Sequence, residues 1–158
     1  MDTATIPEIP QEVFRDVLGT FATGVTVVTA PEATGATVNS FTSVSLDPPL
    51  VAFCLRCGSR TGASVRRHRR FAISILSRDQ QDVCQRFARA EPDRSPAARQ
   101  LVDAAGVPVV RDALAHLTCT LSSIQRYGDH DLVVGQVRAA QAPRAGEEPL
   151  IFFRGGYR

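Results

Sequence analysis

Leu117-Thr-Cys-Thr-Leu-Ser-Ser-Ile124 alternates apolar and polar side chains, the period of a half-buried strand. Gly128 and Asp129 in Arg126-Tyr-Gly-Asp-His130 supply turn chemistry, and Leu132 to Ala140 returns as a second strand. Upstream, Phe71-Ala-Ile-Ser-Ile-Leu76 reads as a strand. Leu50-Val-Ala-Phe-Cys-Leu55 is apolar throughout, the mark of a strand buried on both faces. Asp47-Pro48-Pro49 breaks the chain before it, and Ala36 to Ser45 is small, polar and β-prone. Val25 to Thr29 is rich in β-branched residues, which favour strands. Leu150-Ile-Phe-Phe153 is the last strand.

Three short helices separate these strands. One follows Pro10, carries Val13, Phe14, Val17, Leu18 and Phe21 on one face, and stops by Gly24. One is capped by Thr61 and reaches Arg70. The third opens at the capping-box pair Ser77 and Gln80 and runs to about Arg89. Glu91 to Gly106 reads as a polar loop with room for one helical turn. About seven strands with these helices predict a mostly β barrel.

The chain has 158 residues, the size of one domain. It divides into an N-terminal extension, 1–12, and one domain, 13–158. All 18 basic residues are arginine, which excludes Schiff-base lysine chemistry and a Walker-type phosphate lysine. A net charge of +2 does not mark a dedicated nucleic-acid binder. The N-terminus lacks a basic and apolar leader pattern, and no apolar run approaches membrane-spanning length. These features predict a cytoplasmic protein, free of membrane, with Cys54, Cys57, Cys84 and Cys119 reduced.

Cys54-Leu-Arg-Cys57 has redox-motif spacing. It lies in a strand rather than at a helix N-terminus, where a thiolate would be stabilised, so the expectation is a buried structural Cys54. With no second ligand pair it gives no zinc or other metal site. Arg66 to Arg70 reads as a solvated helix end, since a nucleic-acid face would want interleaved aromatics. Gly128-Asp-His-Asp131 fits either a hairpin tip or a histidine whose charged form is favoured by flanking carboxylates. Asn39 to Ser45 offers five short polar side chains, as an edge strand or as a wall for a polar planar ligand. Ser59-Arg60-Thr61 joins hydroxyls, a guanidinium and a helix start, which suits an anion. There is no GxGxxG and no P-loop.

Taken in order, these segments resemble the flavin reductase-like family, the split-barrel reductases of two-component flavin-dependent monooxygenases. The resemblance rests on Phe21-Ala-Thr-Gly-Val-Thr-Val-Val-Thr29, Asn39-Ser-Phe-Thr-Ser-Val-Ser-Leu-Asp-Pro-Pro-Leu50 and Ser59-Arg-Thr61. It continues through Gln85-Arg-Phe-Ala88, Gly128-Asp-His130 with Gly135, and Phe153-Arg-Gly-Gly-Tyr157. It implies a six-stranded Greek-key split barrel that is homodimeric, with sites where two barrels meet. Thr37, Val38, Asn39, Ser40, Phe41, Thr42, Ser43 and Ser45 would line the isoalloxazine and ribityl chain. Ser59, Arg60 and Thr61 would hold the phosphate, with Phe87 near the flavin. His130 would be the catalytic residue beside the nicotinamide, with Arg154 and Tyr157 closing over it. The implied reaction is hydride transfer from NADH or NADPH to FMN or FAD, for delivery to a separate monooxygenase. The alternative within the same fold is a flavoprotein that retains its flavin as an oxidase, an oxygenase or a non-catalytic module. His116 departs from the family, which usually carries an aromatic there.

Overall fold

A computed structural model describes residues 8–32, 34–89 and 100–158. In chain order the elements are α1 (Gln11–Gly19), β1 (Thr23–Gly24), β2 (Thr26–Ala30), β3 (Thr34–Val38), β4 (Thr42–Leu46) and β5 (Pro49–Arg56). Then come α2 (Arg60–His68), β6 (Arg70–Ile75), a 3₁₀ turn (Arg78–Gln80) and α3 (Gln81–Ala88). After residue 100 follow β7 (Leu101–Ala104), β8 (Val107–Val110), β9 (Ala115–Tyr127), β10 (His130–Gln141), β11 (Ile151–Phe153) and β12 (Gly156–Tyr157). The mostly β class holds. The main sheet has seven strands rather than six, in the order β3-β2-β6-β9-β10-β5-β4.

The sheet curls so that its two halves face one core. Val28 of β2, Val38 of β3, Phe53 of β5, Phe71 and Ile73 of β6, Leu121 of β9 and Val133 of β10 meet there. Phe53 and Phe71 pack edge to face, ring centroids 5.1 Å apart, a favoured aromatic geometry. The β-branched run at β2 reflects burial on both faces. Val28 and Ala30 enter the barrel, while Val25 and Val27 face a second cluster with Leu76, Cys84, Phe87 and Leu150. β6 is covered on both sides as well. Its Ala72 packs on Val107 and Val109, and its Ser74 hydroxyl accepts the Val110 N–H at 2.9 Å.

Several boundaries differ from expectation. Pro31 to Gly35 reads as a turn, but β3 has already begun at Thr34. Ala36 to Ser45 is two strands, because the chain leaves β3 at Asn39 and re-enters the sheet at its far edge as β4. Leu101 to Val110 is a hairpin, not a loop; Ala105 and Gly106 both take positive φ, and the apolar Val107 and Val109 cover β6. The Glu91 to Arg99 part of that expected loop lies outside the described residues. The first helix ends at Gly19, short of Phe21, and buries none of its residues. Ser59, not Thr61, caps α2: its hydroxyl accepts the Gly62 N–H at 3.1 Å. The capping box at Ser77 and Gln80 is present and starts the 3₁₀ turn that leads into α3.

Core burial pushes the Cys119 thiol up from 9.0 to about 12. The fold thus favours the neutral thiol. That contribution is complete below about pH 9 and is lost as pH rises toward 12. Denaturant unfolding of the wild type should show stability falling over this window, and Cys119→Ala should flatten the fall. Parallel pH profiles for the two proteins would contradict the assignment.

Candidate functional site

Four structural pieces converge to form a cleft of about 610 Å³. β3 and the chain just after it supply Gly35, Thr37, Val38, Asn39 and Ser40. The end of β5 and the start of α2 supply Cys54, Arg56, Cys57, Ser59, Arg60 and Thr61. α3 contributes Phe87, with Ala88 and Arg89 following, and β10 contributes His130 from its first position.

Local hydrogen bonds hold these pieces. The Ser40 hydroxyl accepts the Cys54 N–H at 2.9 Å, joining the segment after β3 to β5. The Thr37 hydroxyl donates to the Cys84 carbonyl at 2.6 Å, joining β3 to α3. α2 is seated by Val65 in the core and by Ser64, whose hydroxyl donates to the Pro31 carbonyl at 2.8 Å. Arg66 reaches from α2 to the buried Asp131 carboxylate at 2.8 Å. The run 66–70 is therefore not simply a solvated helix end, because one guanidinium compensates a buried carboxylate. Asp131 points inward to Arg66, with the Cys57 thiol 3.7 Å away, rather than flanking His130. Asp129 does contact His130, Nδ1 to Oδ1 at 2.8 Å. That hydrogen bond, followed by the charge of His130, holds the Asp129 carboxyl below its usual range.

The charge balance of the cleft favours an anion. Arg56, Arg60, Arg89 and His130 line it against one carboxylate, Glu32. Glu32 is itself held by Arg67 and His68, at 3.5 and 3.2 Å. The N-terminus of α2 opens into the cleft beside Arg60 and Thr61, where helix N–H groups and the dipole attract negative charge. The opposite wall, from Gly35 to Ser40, offers backbone, hydroxyl and amide groups beside Phe87. This donor set suits a molecule with a planar polar ring at one end and phosphate at the other.

Of the residues singled out in the sequence, Thr37, Val38, Asn39, Ser40, Ser59, Arg60, Thr61, Phe87 and His130 line the cleft together. Phe41 packs partly buried against the barrel core, and Thr42, Ser43 and Ser45 run along the edge strand β4. Arg154 lies over the Phe153 ring, 5.2 Å from its centroid. Tyr157 packs on Phe152. The cleft also holds Glu32, Gly35, Arg56 and Arg89, which sequence reasoning did not select. The CxxC could have pointed to Arg56, since it marks the exit of β5. Cys54 is not buried as expected; both it and Cys57 are only partly buried in the cleft wall.

Comparison with known proteins agrees with this geometry. The flavin reductase like domain matches residues 18–158. A probable flavin reductase of Rhizobium meliloti is 45% identical over 147 residues, 90% of this chain and 47% of that protein. The chain thus spans about half the length of that relative. The reductase subunit HsaB of a flavin-dependent monooxygenase of Mycobacterium tuberculosis is 36% identical over 154 residues, 95% of this chain and 82% of that one. The NADH:FAD oxidoreductase SgcE6 of Streptomyces globisporus, solved with NAD and FAD fragments, superposes with a TM-score of 0.88. It is 33% identical and the match covers 97% of this chain and 96% of that one. The chain belongs to the flavin reductase-like family, and its fold is that family's split barrel.

Proposed function

We propose that this protein reduces flavin with a nicotinamide nucleotide and supplies the reduced flavin to a separate monooxygenase. The observation that carries the reading is the cleft, where a cationic helix N-terminus faces a wall of short polar groups and Phe87. The kinship with a monooxygenase reductase subunit and an NADH:FAD oxidoreductase supports it. When bound, flavin would supply the redox chemistry as the acceptor of the nicotinamide hydride. The chain's own contribution is orientation and charge compensation. Arg60 and the N-terminus of α2 hold the phosphate, while Thr37 to Ser40 and Phe87 fix the ring system. His130, in the cleft lining and oriented by Asp129, meets the nicotinamide nucleotide.

His130→Ala is expected to raise the KM for the nicotinamide nucleotide, or slow flavin reduction in stopped flow, by about tenfold. Unchanged values for both would remove His130 from the site.

The functional unit in this reading is a homodimer. α1 presents Val13, Phe14, Val17 and Leu18 to solvent, and Leu46 at the tip of β4 is 93% exposed. Apolar area of this kind is characteristic of protein interfaces. Light scattering is expected to give twice the chain mass of 17.1 kDa. A reducing cytoplasmic compartment suits the free thiols of Cys54, Cys57, Cys84 and Cys119. Among the described residues no helix is long and apolar enough to cross a membrane.

A further inference from the structure

Arg56 ends β5 and His130 begins β10, and the two stand opposite each other in the antiparallel register. Side chains paired in this way start about 4.5–5.5 Å apart at Cβ. Their neighbours turn inward, Leu55 into the core and Asp131 to Arg66. Strand alternation therefore puts Arg56 and His130 on the other face, and both line the cleft. A guanidinium gains nothing from a neutral histidine opposite it and is repelled by a protonated one. An anion between them relieves both. Among the described residues no carboxylate fills that place. Asp129 takes His130 by Nδ1, at 2.8 Å, and leaves Nε2 for a ligand. Glu32, the carboxylate of the cleft, is held by Arg67 and His68. Among the described residues none hydrogen-bonds or ion-pairs with the Arg56 guanidinium. The turn from Arg56 to α2 is closed by the Ser59 N–H, which donates to the Arg56 carbonyl at 3.1 Å. Arg56 and Arg60 thus stand at the two ends of one short turn, both in the cleft lining.

We propose that Arg56 recognises the nicotinamide dinucleotide by its pyrophosphate, with His130 beside it, while Arg60 and the N-terminus of α2 keep the flavin phosphate. This rests on reading the cleft as the site of flavin and nicotinamide. It adds the residue that separates NADH from a bare dihydronicotinamide.

The test compares Arg56→Ala and Arg56→Lys with the wild type. The acceptors are FMN and riboflavin, which carries no phosphate. The donors are NADH and N-benzyl-dihydronicotinamide, which has the reacting ring and no phosphate. Arg56→Ala should raise the KM for NADH about 5- to 20-fold with either flavin, the range for a charge-assisted hydrogen bond at an exposed position. The KM for the benzyl donor and the KM for FMN should each move by less than about twofold, as for a surface substitution away from the group concerned. Arg56→Lys should recover part of the loss, because it keeps the charge without the two-pronged geometry. A loss for FMN that matches or exceeds the loss for NADH would give Arg56 to the flavin phosphate and overturn the proposal. Equal losses for NADH and the benzyl donor, or no loss at all, would overturn it too, because Arg56 would then not be reading phosphate. If even the wild type oxidises neither donor with any flavin, the flavin reading fails instead. Calorimetric titration of NAD+ into the flavin-free protein then decides the site by itself. Binding weakened by Arg56→Ala upholds it, and equal binding or none refutes it.

Discussion

Gly135→Ala is expected to destabilise this protein severely. Gly135 lies in β10 at a register shift against β9. A Cβ there would fall 2.2 Å from Cζ and 2.8 Å from Cε1 of Phe71, and 3.3 Å from Cβ of Cys119. Phe71 cannot swing away, because its ring is fully buried and packed edge-on against Phe53. The added methyl must therefore displace either β10 or the aromatic pair. Overpacking of this severity costs about 3 kcal/mol or more. For a chain of this length that lowers the Tm by roughly 6–12 °C. Thermal or denaturant unfolding measures it. Combining Gly135→Ala with Phe71→Leu should recover part of the loss, since the second change removes the colliding atoms. A Tm within about two degrees of wild type in the single variant would show that the barrel accommodates the methyl.

The second large effect belongs to the site. Arg60→Ala should raise the KM for flavin by about 10- to 100-fold, the cost of losing a charge-assisted hydrogen bond to phosphate. Arg60 opens α2, so its guanidinium and the helix N–H groups converge on the same region of the cleft. Riboflavin, which lacks the phosphate, should feel the substitution far less than FMN or FAD does. Arg60→Lys should restore only part of the affinity, because an ammonium cannot bind phosphate in the two-pronged manner of a guanidinium. Equal losses for riboflavin and FMN would move the phosphate away from Arg60.

Much of this was legible in the sequence because strand signals here coincide with burial. Leu50 to Leu55 reads as a continuous apolar run, and β5 is indeed buried over most of its middle. The alternation at Leu117 to Ile124 marks the long β9, with Cys119 and Leu121 turned inward. The hairpin at Leu101 to Val110 was not legible. Pro108 and the Ala105-Gly106 pair look like loop residues, and only the packing on Ala72 makes them strand. The site divides similarly. Arg60, Thr61 and His130 announce themselves as polar groups at element ends. Gly35 and Arg89 do not, since their roles come from the approach of β3 and α3, which lie far apart in sequence. Asp131 looked like a partner of His130, but strand alternation sends neighbouring side chains to opposite faces, and it faces Arg66.

The most direct test of the whole account is oxidation of NADH and NADPH by the purified protein with FMN, FAD or riboflavin added, and with no flavin. The account predicts turnover that depends on added flavin, with reduced flavin released to solution. No oxidation with any combination would contradict it. So would a protein that stays yellow after desalting yet gains nothing from added flavin, because its flavin would then be retained rather than supplied.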